Sequence, residues 1–227
     1  MCSKGRTTQG WSTGNLIMKA FIGITCIIGI VVEGSVLKFV PSRRTTKKPD
    51  FCNKLDCPSY NVESSTADYE LRKYDPSRWV SDVTKGVDFQ TAQNTNFMKL
   101  FEYIQGNNVE KKKIAMTAPV LTKIIPGPGP ACEDDFTMSF FVSSSEHNPP
   151  KPLDKTVFLT SNSTMSVYVR SFPGYIRSIN QWLEEAGKLA KALEGKAYVK
   201  DYYFTAGYDS PFQLLHRHNE IWFLAEE

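Results

Sequence analysis

Two histidines stand two residues apart in Leu214-Leu215-His216-Arg217-His218-Asn219. In an extended segment this spacing puts both imidazoles on one face, where neutral ring nitrogens can serve as metal ligands. The plainer reading is two surface histidines in a polar loop. The third histidine, His147, lies in a Pro-containing stretch. Cys52 and Cys57 flank Asn53-Lys54-Leu55-Asp56, and Cys132 follows a Pro/Gly-rich run. A zinc quartet from these cysteines would need His147 as its fourth ligand, at a poor spacing. Neither a G-x-S-x-G elbow nor an HExxH helix occurs in the chain, so no acyl-transfer or zinc-protease motif marks a catalytic centre.

The chain has 227 residues, of which 41% are hydrophobic and 12% aromatic. That is enough apolar material for one globular core. The formal net charge is +3, with Arg43, Arg44, Lys47 and Lys48 clustered together. No nucleic-acid-binding motif accompanies the cluster, and it reads as a solvated linker. The uncharged run Ala20–Val32 follows Lys19 and precedes Gly34 and Ser35. It is shorter than the roughly 20 apolar residues a membrane span needs. It suits a secretory signal over residues 1–34, cleaved near Gly34 and starting at Met1 or Met18. The competing reading is an uncleaved anchor reaching back to Leu16 with Lys19 inside it. A cleaved leader implies an extracellular protein with no stable membrane insertion. Asn162-Ser163-Thr164 then becomes an N-glycosylation acceptor in a polar turn. In that compartment Cys52–Cys57 is the expected disulfide, with Cys132 unpaired. A bridge from either to Cys132 remains open.

Apolar periodicity lays out the elements. Residues 35–58 read as a basic linker and cysteine loop, and 59–227 as the folded domain. Strands are expected at Tyr60–Glu63, Tyr69–Tyr74 and Arg78–Val83. Phe89, Ala92, Phe97, Leu100, Phe101 and Ile104 form a helical stripe over Asp88–Gln105. A long strand is expected over Ile114–Ile125, bent at Pro119, and an alternating one over Phe136–Val142. Strands at 156–160 and 165–172 flank the sequon. A second amphipathic helix runs from Ile176 to Leu193, and strands at 202–208 and 221–225 close the chain. The order strand, helix, paired strands occurs twice. This implies an α+β fold of two pseudo-repeated halves.

Several blocks, in order, resemble the SOUL/heme-binding-protein family, SOUL branch. They are Tyr69-Glu70-Leu71-Arg72-Lys73-Tyr74, Arg78-Trp79-Val80, Lys113-Ile114-Ala115-Met116-Thr117-Ala118-Pro119-Val120, Val169-Arg170-Ser171-Phe172-Pro173-Gly174-Tyr175, Thr205-Ala206-Gly207-Tyr208-Asp209-Ser210-Pro211 and Arg217-His218-Asn219-Glu220-Ile221-Trp222. The resemblance implies a distorted antiparallel β-barrel flanked by two helices. It also implies a non-catalytic protein that binds heme or another porphyrin as carrier, scavenger or buffer. The cleft it implies involves the first helix, here Phe97, Met98, Leu100 and Phe101, and loops near the C-terminus. Aromatic and Met side chains suit a flat macrocycle, although the same stripe reads equally as core. His216 and His218 are the candidate iron ligands. The histidine proposed as axial ligand in the SOUL branch is Lys73 here, so that assignment does not transfer. Arg72, Arg170 and Arg217 are candidate propionate partners.

The related bacterial effector-binding domains place acidic residues at the cleft centre, where Met116 and Met138 are expected here. A binding module is therefore preferred to an enzyme. The alternative function is a protein-interaction module related to SOUL-type cell-death regulation, resting on Leu183–Tyr198 with Leu189 and Leu193.

Overall fold

Phe136, Met138 and Phe140 are buried, while Thr137 and Ser139 between them are only partly so. This period-two pattern builds a strand whose faces meet different surroundings. The computed structural model describes residues 48–85, 88–126 and 135–226, with the backbone of 43–44. The expected leader over 1–34, residues 35–42 and 45–47 of the linker, and Cys132 lie outside the described residues.

The elements are β1 (Arg43–Arg44), β2 (Tyr60–Ser65), β3 (Glu70–Tyr74), β4 (Ser77–Lys85), α1 (Phe89–Ile104), β5 (Val120–Ile125) and β6 (Asp135–Val142). They continue as β7 (Phe158–Asn162), β8 (Met165–Pro173), α2 (Ile179–Ala192), β9 (Tyr203–Gly207) and β10 (His218–Leu224). The strands form one antiparallel sheet in the order β1-β2-β3-β8-β10-β9-β5-β6-β4-β7. It curls into a half-barrel, the α+β distorted barrel expected from the sequence.

The duplication is visible in the pairing. β4-α1-β5-β6 and β8-α2-β9-β10 each put their third strand between the other two. The halves meet where β5 pairs with β9, with Thr122 opposite Thr205. They also exchange their outer hairpin strands: β3 pairs with β8, and β7 with β4. Asp82 lies opposite Met138, itself opposite Thr122, and Arg170 lies opposite Ile221, itself opposite Thr205. Asp82 and Arg170 therefore occupy equivalent positions. Each ties its strand to its own helix, Asp82 to Lys99 at 3.1 Å and Arg170 to Glu185 at 2.9 Å, with the charges reversed.

Both helices cover one face of the sheet. Leu100, Tyr103 and Ile104 of α1 pack on Val80, Met138 and Phe140. Trp182, Ala186 and Leu189 of α2 pack on Ile124, Phe136, Ile221 and Phe223. The opposite face buries Tyr74, Trp79, Leu121, Val169 and Trp222 against the Cys52 loop.

Local chemistry sets the boundaries. Asp88 caps α1, its carboxylate accepting from the Thr91 N–H at 3.1 Å. Gly106, at φ +116°, terminates the helix, and a side chain there would press on the Lys111 carbonyl. α2 begins at Ile179 rather than Ile176, because Gln181 reaches back to the N–H groups of Arg177 and Ser178 at 2.7 and 3.2 Å. β5 begins at Val120 rather than Ile114. Pro119 has no N–H for a ladder, and the strand-type pairing of the preceding stretch is an isolated bridge, Thr117 to Asp56.

Leu189 is fully buried beneath α2. Leu189→Ala is expected to cost about 2–5 kcal/mol through lost burial and the cavity left behind, read as a lowered denaturation midpoint.

Candidate functional site

The two helices do not close over the centre of the sheet. They leave a groove of about 440 Å³ whose floor is Val120 and Thr122 of β5 with Thr205 and Gly207 of β9. One wall is α1, contributing Phe89, Gln93, Asn94, Phe97 and Met98, and the other includes Trp182 of α2. Asp209 and Pro211, just after β9, line one end. The site thus straddles the join between the two halves of the fold. Helical spacing explains the α1 wall, since residues 89, 93 and 97 recur every four positions along one stripe.

The lining is mostly apolar with a few placed polar groups. Gln93 donates to the Thr122 hydroxyl at 3.0 Å, fixing an amide at the floor. Phe97 meets Phe140 edge-on at 5.4 Å and stacks on Phe101 at 6.0 Å, which holds its ring in place. Trp182 meets Phe172 edge-on at 5.5 Å. Met98 is 53% exposed and free to adapt in shape.

The expected site residues separate into groups. Phe97 and Met98 line the groove. Phe101 lies one turn further along α1, partly exposed, and touches the groove through its stack on Phe97. Leu100 is fully buried in the core between α1 and the sheet and lines nothing. It sits on the stripe that faces the sheet rather than the one that faces α2. Met138 is buried under α1 and Met116 packs at the edge of the same cluster. The cleft centre therefore holds Thr122 and Thr205 rather than the expected methionines.

His216 and His218 do not share an extended segment. His216 has φ +54° and sits exposed in the loop before β10. His218 opens β10 and contacts Glu220 through Nε2 at 2.7 Å, its ring stacked on Phe51 at 4.0 Å. Register assigns Glu220 to the sheet face opposite the helices, and Glu220 is fully buried. Its carboxylate accepts from Arg72 at 2.9 Å, the Tyr208 hydroxyl at 2.8 Å and the Trp222 indole at 2.7 Å. Arg72 also meets Glu70 at 2.7 Å and lies over the Tyr60 ring at 4.5 Å.

The candidate propionate partners are each engaged elsewhere. Arg72 holds Glu220, Arg170 holds Glu185, and Arg217 donates to the carbonyls of Asp209, Ser210 and Gln213. Leu189 and Leu193 are both buried, so the helix face required by the interaction-module alternative is turned into the core. The sulfur atoms of Cys52 and Cys57 are bonded at 2.08 Å. Asn162 is exposed at the end of β7.

Periodicity missed Thr122, Thr205, Gly207 and Trp182, because only strand register and helix placement bring them together. A signal for Asp209 and Pro211 was present in the block Thr205–Pro211. The buried Glu220 was written in the sequence only as one acidic residue just before the apolar run Ile221–Leu224.

Fold and groove together define an α+β half-barrel with an apolar cleft between its helices. Residues 55–224 match the family model described as SOUL heme-binding protein. The chain is 42% identical over 159 residues to human heme-binding protein 2, covering 69% of this chain and 77% of that protein. It is 39% identical to the mouse protein of the same name, over 75% and 86% of the two chains. It is also 27% identical to heme-binding protein 1 of Xenopus laevis, over 69% and 83%. The fold is shared with the EcmrR C-terminal domain, at a TM-score of 0.51 and 14% identity, covering 70% of this chain and 98% of that one. The protein belongs to the SOUL heme-binding family.

Burial alone would raise the Glu220 carboxyl, but Arg72 and the His218 and Trp222 hydrogen bonds outweigh it and lower it from 4.5 to about 2. The charged carboxylate is thus favoured by folding. Its contribution is complete above pH 4.5 and is lost as pH falls from about 4.5 to about 2, on the order of 3 kcal/mol in all. Glu220→Gln is expected to remove about 3–5 kcal/mol at neutral pH by leaving Arg72 buried without its buried counter-charge, the partly exposed Glu70 alone remaining. The same variant should flatten the acid limb of a stability-versus-pH curve measured by urea denaturation. An unchanged acid limb would show that other carboxylates govern it.

Proposed function

We propose that this protein is a secreted, non-catalytic binding protein that holds heme or a related tetrapyrrole in the groove between α1 and α2. The observation that carries the reading is the groove itself. A flat, largely apolar macrocycle needs large aromatic and Met surfaces on facing walls, and Phe89, Phe97 and Met98 face the Trp182 side across a narrow floor. Relatives named for heme binding support the ligand class.

Apolar contact supplies most of the affinity in this reading. A bound heme would bring an iron that takes an axial ligand. His216, in the loop that continues from the groove end, is the histidine free to offer a ring nitrogen, whereas His218 would first have to leave Glu220. Secretion as a carrier or buffer is supported by the apolar run Ala20–Val32, the exposed sequon asparagine Asn162 and the Cys52–Cys57 bridge.

Hemin titration followed by absorbance is expected to give a saturable one-to-one Soret change. Met98→Glu, at a half-exposed groove position, should weaken binding by about tenfold or more while leaving the melting temperature unchanged, because it buries a charge only when ligand is bound. His216→Ala should move the Soret maximum. His218→Ala should leave that maximum in place and lower stability. A non-saturating response, or equal affinity in the Met98 variant, would overturn the groove assignment.

For secretion, the chain recovered from the medium of expressing cells should lack residues 1–34. It should also lose mass on enzymatic deglycosylation, and Asn162→Gln should abolish that loss. Retention of the chain in the cell sinks this part of the reading.

A further inference from the structure

A second cavity, of about 540 Å³, lies on the face of the sheet opposite the groove. β5 serves both: Thr122 floors the groove, while its neighbours Leu121 and Lys123 line the cavity behind it. Register lays out the cavity wall. Lys123 stands between Phe204 of β9 and Thr137 of β6, and Thr137 stands opposite Val83 of β4. One pleat along, Leu121 stands opposite Ser139, Ser139 opposite Ser81, and Ser81 opposite Phe158 of β7. Lys123, Thr137, Ser139 and Ser81 therefore form a polar strip with Phe204 at one border and Phe158 at the other. Ser163 and Thr164 alone join β7 to β8, which brings Met165 of β8 round to the cavity.

The charge of the lining is one-sided. Lys123 is the one charged residue that lines it, and neither Asp nor Glu does. The Lys123 ammonium lies 3.7 Å from the centre of the Tyr202 ring, which meets Phe204 edge-on at 5.6 Å. The ring holds the cation in place without neutralising it. Among the described residues no carboxylate pairs with Lys123, whereas the strand cations Arg72 and Arg170 hold Glu220 and Glu185. The Ser81 and Ser139 hydroxyls lie 2.7 Å apart. One hydrogen serves that bond, and the other hydroxyl hydrogen is left for a further acceptor. An ammonium beside hydroxyl donors suits an anionic group. The aromatic borders with Leu121 and Met165 suit an apolar body. A neutral sugar would use the rings and hydroxyls but leave the ammonium without a counter-charge.

We infer that this cavity is a second ligand site, for a small organic anion made of an apolar ring and one carboxylate. The carboxylate sits on Lys123 with Thr137 and Ser139 beside it, and the ring lies between the aromatic borders. Asn162 pairs with Ser77, six residues along β4 from Val83, so a sugar on Asn162 would stand at the far end from Lys123. The sheet separates the site from the groove, and the inference does not depend on what the groove holds.

The test titrates the full chain with 2-naphthoate, followed by calorimetry, beside the uncharged 2-naphthamide. Naphthoate is expected to bind saturably, one to one, and naphthamide about tenfold more weakly. Lys123→Met keeps much of the side-chain length and removes the charge. It should weaken naphthoate about tenfold and leave naphthamide affinity unchanged, the second result reporting an intact cavity. Lys123→Arg should retain the preference for the anion. Met98→Glu, in the groove, should bind naphthoate as the parent does.

Naphthoate binding that falls in Met98→Glu and not in Lys123→Met would place the probe in the groove and overturn the proposal. Equal affinity of the parent chain for the two probes would remove the anion from the site and overturn it as well. So would the lack of a saturable signal at about 1 mM naphthoate.

Discussion

A buried carboxylate and a buried guanidinium organise the face of the sheet that the helices leave uncovered. Glu220 on β10 and Arg72 on β3 are not on neighbouring strands; β8 runs between them. Their contact at 2.9 Å therefore spans three strands and ties the edge hairpin β2–β3 to the centre. Neither charge is tolerable there alone. Further partners surround the pair: Tyr208, Trp222 and His218 hold Glu220, while Glu70 and Tyr74 hold Arg72. Burial and the neighbouring Glu220 charge both push the Tyr208 phenol well up, so it remains a donor. Phe51, stacked on His218, brings the disulfide loop onto this network. The network claims His218, and so removes it from the list of free metal ligands.

The other face is governed by duplication. Two equivalent halves meet antiparallel at Thr122 and Thr205, and each sends one helix across its own strands. Packing each helix on its own half leaves a gap above the join, and that gap is the groove. The equivalent ion pairs Asp82–Lys99 and Arg170–Glu185 anchor the two helices independently, so neither helix needs the other to be held in place. The halves have diverged in what they offer the gap. α1 gives Phe89, Phe97 and Met98, whereas α2 gives Trp182 and turns Leu189 and Leu193 into the core.

The loop after β9 joins the two faces. Asp209 lines the groove end, accepts from Asn53 of the disulfide loop, and accepts from the His218 N–H at 2.6 Å. A change at the groove mouth thus touches the segment that covers the Glu220 network. Arg217 holds the loop closed on itself and leaves its apolar residues outward.

Periodicity in the sequence was sufficient for the α+β class, both helices, most strands and the order of the two halves. Those features follow from side-chain alternation and local stop signals, which act over a few residues. Phe97 and Met98 were legible as candidates through the family resemblance, which points to the first helix, and not through periodicity. Leu100 on the same helix was not separable from them, since periodicity reports a stripe and not which neighbour the stripe meets. The pairing of Thr122 with Thr205, the arrival of Trp182 at the groove and the meeting of Arg72 with Glu220 join residues far apart in the chain. The spacing of His216 and His218 suggested a shared face, but a left-handed residue and a buried carboxylate divide them. Local pattern determined what each segment is; only the antiparallel register and the exchange of strands between halves decided which segments share a site, because those contacts are chosen by the energy of the whole sheet.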